Sequence, residues 1–232
     1  MEIYTDVDGV LSADPRIVPE AYTISEMSYQ EVGEMAYLGA KVVHPKAVSF
    51  AMEAKVPLRV RSTFSDHPGT LITDGMIEFK TVVTGVTHIP NMAYVRVDLG
   101  NEKDLSRAQT QVFTQFADKG ISLDLITVSN HSIYFITKED QVSKAENILK
   151  SLPWKSSIEP GYAKVSVVGG GMRGKPGVMS RVVQTLYNAG IPLYHSTDSH
   201  ITIACLVKQS DTEKAVKALH AAFIEAPPKS GS

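Results

Sequence analysis

The glycine-rich run Gly169-Gly170-Gly171-Met172-Arg173-Gly174 has GxGxxG spacing between a strand and a helix, with Asp198 further along. Such a loop can bring backbone N–H groups against a pyrophosphate. A dinucleotide site also needs a parallel βαβ unit in a wider sheet, which a 70-residue segment is too small to build. The run therefore reads better as a loop that lets backbone approach a partner or ligand. His195, Asp198 and His200 form the one His/Asp cluster. Strand alternation separates His195 from Asp198 and no fourth ligand is evident, so no metal is expected. Cys205 is the single cysteine and lies mid-strand, which suits a small core residue. No Ser/His/Asp set has the spacing of a nucleophilic triad.

The elements that must position these residues come from an internal repeat. At an offset of 70 residues, 93–149 aligns without a gap on 163–219, with fifteen identities in 57 positions. The matches fall on punctuation such as Gly100/Gly170, Gly120/Gly190 and Ser129/Ser199. Each copy reads strand, helix, strand, strand, helix. Val95, Val97 and Leu99 alternate on the first strand. Val112, Phe113 and Phe116 stripe the first helix of copy one, and Gly120 stops it. In copy two Pro176 suits the first helical turn, Val178, Val182 and Leu186 give the stripe, and Gly190 ends it. Second strands are expected over 121–128 and 191–197, third strands over 132–137 and 202–207, and second helices over 142–149 and 212–223.

A ferredoxin-like βαββαβ unit needs a fourth strand. Copy one finds it near 154–159, before a turn at Gly161. Copy two has none left at Ala226-Pro227-Pro228. Residues 82–89, set apart from Ala93 by Pro90-Asn91-Met92, are expected to supply it, which interleaves the two copies. The first 72 residues form a different unit. It has a strand over 2–7, a capping box Ser28-Tyr29-Gln30-Glu31 for a helix stopping near Gly39, and a helix opened by Pro45 with Val48, Ala51 and Met52 facing inward. A strand over 56–60 contains Pro57 and is expected to be short or at an edge. This much is too little for an independent α/β sheet, so it reads as the end of a larger domain.

Composition narrows the class. Lys and Arg number 23 and Asp and Glu 25, a formal net charge of −2, which argues against a chain dedicated to nucleic acid. Apolar residues at 43% suit a globular chain. No apolar run reaches a membrane span, no signal peptide is evident, and the lone cysteine suits a reducing compartment, so a cytoplasmic location without membrane contact is expected.

Tyr4-Thr5-Asp6-Val7-Asp8-Gly9-Val10-Leu11-Ser12-Ala13-Asp14-Pro15-Arg16 resembles the nucleotide-site segment of aspartokinases. Gly39-Ala40-Lys41-Val42-Val43-His44-Pro45-Lys46-Ala47 and Val56-Pro57-Leu58-Arg59-Val60-Arg61-Ser62-Thr63-Phe64 are similar to the same family, in its order. The repeat resembles the ACT pair that follows its kinase domain, and Ser196-Thr197-Asp198-Ser199-His200 is similar to the diaminopimelate-sensitive branch. The resemblance implies an α+β chain of tandem, interleaved ferredoxin-like ACT domains after the truncated end of an α/β amino-acid kinase domain. The units would be 1–72, 93–160, 82–89 plus 161–224, and a tail over 225–232.

By the same resemblance, Thr5, Asp6, Leu11, Arg16 and Lys41 would contact ATP, carried with magnesium as the intact enzyme's substrate. Arg107, Ala108, Gln109, Leu123, Asp124, Ser129 and Asn130 would hold an effector, with Asp124 meeting its ammonium. Lysine, threonine and meso-diaminopimelate are the effectors implied, and a homodimer through the ACT units is expected. The plain reading of the same residues is that Arg16 and Lys41 are surface charges and Asp124 a solvent-facing strand residue. The family's opening Lys-Phe-Gly-Gly-Thr-Ser loop and its Ser/Gly/Glu aspartate site do not occur here. The expectation is a regulatory C-terminal part that does not phosphorylate aspartate by itself. The alternative is a stand-alone amino-acid-sensing subunit acting on a separate catalytic chain.

Overall fold

In the first unit, side chains near helix ends fix where elements start. The structure, a computed structural model, describes residues 1–40, 42–74 and 81–224. Strands β1 (Glu2–Thr5) and β2 (Glu26–Ser28) precede helix α1 (Tyr29–Tyr37) and helix α2 (Pro45–Glu53). Strands β3 (Leu58–Ser62) and β4 (Thr70–Thr73) follow. The Ser28 hydroxyl accepts from the Glu31 N–H while Glu31 reaches back to the Ser28 N–H, the expected capping box. Gly39 ends the turn after α1 at φ +112°, and the His44 ring accepts from the Lys46 N–H to cap α2. The sheet order is β1-β3-β4-β2, with β1 parallel to β3, β3 antiparallel to β4 and β2 parallel to β4.

Two expectations for this unit are corrected. Pro57 lies just ahead of β3, which is an interior strand, so its missing N–H interrupts no ladder. Val48 and Ala51 of α2 are buried, but Met52 turns outward and is 40% exposed.

The repeat folds as one six-stranded antiparallel sheet. Its elements are β5 (Gly85–Asp98), α3 (Leu105–Asp118), β6 (Asp124–Val128), β7 (Ser132–Lys138) and α4 (Val142–Ser151). Then come β8 (Lys155–Val168), α5 (Val178–Asn188), β9 (His195–Asp198), β10 (Thr202–Lys208) and α6 (Thr212–Phe223). The sheet order is β6-β7-β5-β8-β10-β9. Residues 82–89 and 93–99 were expected as separate strands across Pro90-Asn91-Met92. Instead β5 runs through them as one strand, with register shifts at the former break. Gly161, expected as a turn, lies inside β8.

The pairing of these two long strands interleaves the copies. Gly85–Ile89 pairs with 164–168, and Tyr94–Asp98 pairs with 155–159. Copy two thus takes its fourth strand from the stretch ahead of copy one, while copy one's fourth strand runs on into the first strand of copy two. Asn91 (φ +58°) and Gly161 (φ +87°) stand 70 residues apart, at the same place in the two copies, and each bends its strand in the left-handed region. The Asn91 N–H donates to the Gln209 side chain at 2.9 Å and the Gly161 N–H to the Glu139 side chain at 2.6 Å. Glu139 and Gln209 are themselves repeat equivalents.

Helices cover the outer face. α3 and α4 bury Ala108, Val112, Phe116 and Ala145 on the first half, and α5 and α6 bury Val182, Leu186, Ala215 and Leu219 on the second. α5 begins at Val178 after Gly177, so Pro176 precedes the helix and is not in its first turn. The second strands begin at Asp124 and His195, later than expected, because Ile121 and Ile191 drop into the core directly after their helices. The inner faces of the two halves fold toward one another around Met92, Leu125, Ile136, Tyr162 and Leu206. Strands β6 and β9, at opposite ends of the sheet order, therefore meet, with Thr127 Oγ1 3.1 Å from His195 Nε2.

Candidate functional site

Two regions carry the expected site residues. The first is the end of β1 and the loop beyond it. The Thr5 hydroxyl donates to Asp6 at 3.1 Å, and the Thr5 carbonyl accepts from the Thr63 N–H at 2.8 Å. Leu11 bridges to Thr23. The Arg16 guanidinium folds onto Asp14 with two donors, at 3.0 Å and 2.7 Å, and this contact holds the Asp14 carboxyl below its ordinary pKa. A phosphate at Arg16 would have to compete with Asp14. Lys41 lies outside the described residues.

The second region is the start of α3 and strand β6. Asp104 caps α3: its carboxylate accepts from the Arg107 N–H at 3.0 Å and its carbonyl from the Ala108 N–H at 3.1 Å. The Ala108 side chain is fully buried under α3, Gln109 is half-buried and the Arg107 side chain is exposed. Leu123 packs on the α3 side of the sheet. The Asp124 carboxylate turns to the inner layer instead, accepts from the Leu125 N–H at 2.7 Å and forms an ion pair with Lys164. Leu125 takes φ +47°, an uncommon value for a residue with a Cβ, at the register shift of β6. Ser129 accepts from the Ser132 N–H at 3.0 Å and donates to the Ser132 carbonyl at 3.0 Å, closing the β6–β7 turn, on which Asn130 is exposed. Within one chain the α3 residues and Asp124 thus lie on opposite faces of the first sheet half.

The glycine-rich loop has a structural partner. A Cβ on Gly169 would lie 2.4 Å from the Val82 carbonyl oxygen, and one on Gly171 2.4 Å from that of Thr81. The glycines admit the chain's own segment 81–84, which leads from the first unit into β5. The Gly170 N–H donates to Glu31 Oε1 at 3.0 Å, and the Thr84 hydroxyl donates to the same oxygen at 2.6 Å. β8, which feeds this loop, pairs antiparallel on both sides, so no parallel βαβ unit is present there. Cys205 is buried as expected, and burial pushes its thiol pKa up to about 12. Among the described residues no group of His, Cys, Asp and Glu could hold a metal ion.

The residues that periodicity did not reveal are Glu31 as a link between units, Lys164 and His220. Lys164 alternates with core residues on β8, so its sequence signal is a lone cation in an apolar strand. His220 packs against the first unit, its ring nitrogen Nε2 2.9 Å from the Ser12 hydroxyl.

Comparison with known proteins fits this two-part architecture. Residues 1–62 match the amino acid kinase family, and residues 157–221 match the ACT domain. Aspartokinase 1 of Bacillus subtilis is 39% identical over 229 residues, which span 96% of this chain and 56% of that protein. The chain thus spans little more than half the length of the curated relatives it matches. The crystal structure of Clostridium acetobutylicum aspartate kinase superposes with a TM-score of 0.87 at 29% identity, over 96% of this chain and 54% of that one. The ligand-free regulatory subunit of aspartate kinase from Thermus thermophilus superposes with a TM-score of 0.55 at 25% identity, over 61% of this chain and 99% of that one. No helix among the described residues is long and apolar enough to cross a membrane.

Proposed function

We propose that this chain, which is similar over 96% of its length to a little more than half of Aspartokinase 1 of Bacillus subtilis, is the C-terminal regulatory part of an aspartate kinase. The whole enzyme would transfer the γ-phosphoryl group of MgATP to the β-carboxylate of L-aspartate, giving 4-phospho-L-aspartate. Residues 1–72 end the kinase domain. Residues 93–160 form the first ACT domain and 82–89 with 161–224 form the second; the expected tail over 225–232 lies outside the described residues. The observation that carries this reading is the interleaved pair of βαββαβ units behind a kinase-family segment.

In this reading Thr5, Asp6, Leu11, Arg16 and Lys41 serve the nucleotide. Arg16 leaves Asp14 for phosphate, where a planar, permanently charged guanidinium is the suited partner. The ACT pair binds an end-product amino acid: lysine, threonine or meso-diaminopimelate. Arg107, Ala108, Gln109 and Leu123 come from one side of the sheet half, and Asp124, Ser129 and Asn130 from the strand and turn beside it. Because α3 and Asp124 lie on opposite faces within one chain, a second copy completes the site, as a homodimer through the ACT units would supply. Control follows by linkage: the effector shifts the kinase between states by no more than its difference in affinity for them.

The test is calorimetric titration with lysine, threonine, meso-diaminopimelate and MgATP in turn, with light scattering alongside. Binding of one amino acid by a dimer supports the reading. No amino-acid binding and a stable monomer at micromolar concentration would overturn it. The fit over 99% of a regulatory subunit favours a second reading, an amino-acid sensor acting on a separate catalytic chain. Co-purification of this chain with a distinct kinase chain would select it.

A further inference from the structure

Lys164 lies on the second half of β8 with its side chain in the layer between the two sheet halves, 5% exposed. Among the described residues its ammonium has one partner, Asp124 of β6. An ammonium carries three donors, so two remain without a protein acceptor. Ser166 is two residues along the same strand and therefore on the same face. Thr87 is its register partner on β5. Both bury a hydroxyl without a hydrogen-bond partner among the described groups. At the other end of the pair, the Asp124 side chain is 46% exposed. A half-open carboxylate therefore stands in front of a buried cation with spare donors and under-satisfied hydroxyls.

The scaffold does not require this pair. The repeat equivalents of Lys164 and Asp124 are Tyr94 and Tyr194. Both rings pack edge-on against Tyr162, at 5.8 Å and 5.1 Å between centroids, and the half-exposed Lys208 ammonium lies over the Tyr162 and Tyr194 rings at 3.8 Å and 5.3 Å, so the matching layer closes without a buried lysine. The ion pair is thus present once, in one half of a two-fold arrangement.

We propose that the Lys164–Asp124 pair is a zwitterion-recognition element. The ammonium of an α-amino acid displaces Lys164 from Asp124, and the same molecule's carboxylate takes up the Lys164 donors. This rests on the effector reading above and adds Lys164, from the other ACT unit, as the residue that selects for a carboxylate. A buried cation left unpaired is strongly unfavourable. A ligand with an ammonium and no carboxylate therefore opens the pair only at the cost of leaving Lys164 unpaired. Lys164 belongs to one unit and Asp124 to the other, so insertion occurs at the tie between them.

The experiment is calorimetry on the full chain with L-lysine, L-threonine and meso-diaminopimelate, each against its carboxamide. The carboxamide of the amino acid that binds is expected to bind at least about tenfold more weakly. In Lys164→Met the acid-to-amide ratio is expected to fall to within about threefold of unity. An unchanged ratio in that variant would overturn the proposal while leaving the effector reading intact. No binding of any of the three acids by the unaltered chain would overturn both. Should Lys164→Met fail to fold, the nitrogen-15 resonance of the Lys164 ammonium in the unaltered chain decides. A shift at saturation with the acid supports insertion, and none at saturation overturns it.

Discussion

Glu31 shows how much a single side chain can hold. It is 2% exposed and collects four donors: the Ser28 N–H at 3.1 Å and hydroxyl at 2.8 Å, the Thr84 hydroxyl at 2.6 Å and the Gly170 N–H at 3.0 Å. Two belong to its own helix cap and two to the segment and loop that begin the ACT pair. Glu31→Ala removes a cap and orphans buried donors, a cost of about 2–4 kcal/mol. Urea denaturation is expected to show that loss, with Glu31→Gln losing less because it keeps an acceptor. His220 sets a pH dependence at the same boundary. Its pKa is lowered below 6.5 chiefly by burial, against an opposing pull from Glu20, and its other neighbour is the uncharged Ser12 hydroxyl. The unfolded chain therefore binds more protons than the folded one in the window below 6.5. Stability is full above that value and is lost as pH falls through the window. Tm is expected to drop between about pH 7.5 and about pH 5.5. His220→Gln should flatten the drop only in part, because burial lowers the pKa of His88 and His195 too.

At the scale of elements, the two long strands carry the architecture. β5 and β8 each change partners midway, and each bends where a left-handed residue exposes an N–H to a side chain from the turn after β10 or β7. The two bends differ in one respect. Gly161 is held by the carboxyl of Glu139, partly buried, and Asn91 by the neutral amide of Gln209, exposed. Hydrogen bonds to charged acceptors in part-buried positions are worth more than neutral, solvated ones. Glu139→Ala is expected to cost about 1.5–3 kcal/mol and Gln209→Ala about 0.5–1.5 kcal/mol. Equal losses by chemical denaturation would refute the distinction. Helix α3 makes a different point. Its apolar stripe of Ala108, Val112 and Phe116 goes entirely to the core of its own half, leaving the Arg107 face outward.

For the whole molecule, the exchange of strands between copies means that the second ACT unit is incomplete without 85–89. A fragment spanning 161–224 is expected to show no cooperative thermal transition, and one spanning 81–224 to show one by calorimetry. Cooperative melting of the shorter fragment would contradict the interleaving. Much of this was legible beforehand. The ungapped 70-residue repeat, the Ser28–Glu31 capping box, the apolar stripes and the need for a donated strand all follow from local periodicity and from counting strands. Alternation and helical spacing report which face of an element is buried, and that is set by neighbours a few residues away. They do not report which distant group a buried polar side chain meets. Lys164 and Asp124 are 40 positions apart, and Glu31 and Gly170 are 139 apart. Those pairings depend on the sheet halves folding their inner faces together and on the glycine loop admitting segment 81–84. The sequence by itself determined the repeat, its helices, the need for a donated strand and the family it resembles, but not that 85–98 and 155–168 each run as one strand. Only the tertiary structure decided which charges face one another, because a buried ion pair is selected by the packing of whole layers rather than by the pattern within any one strand.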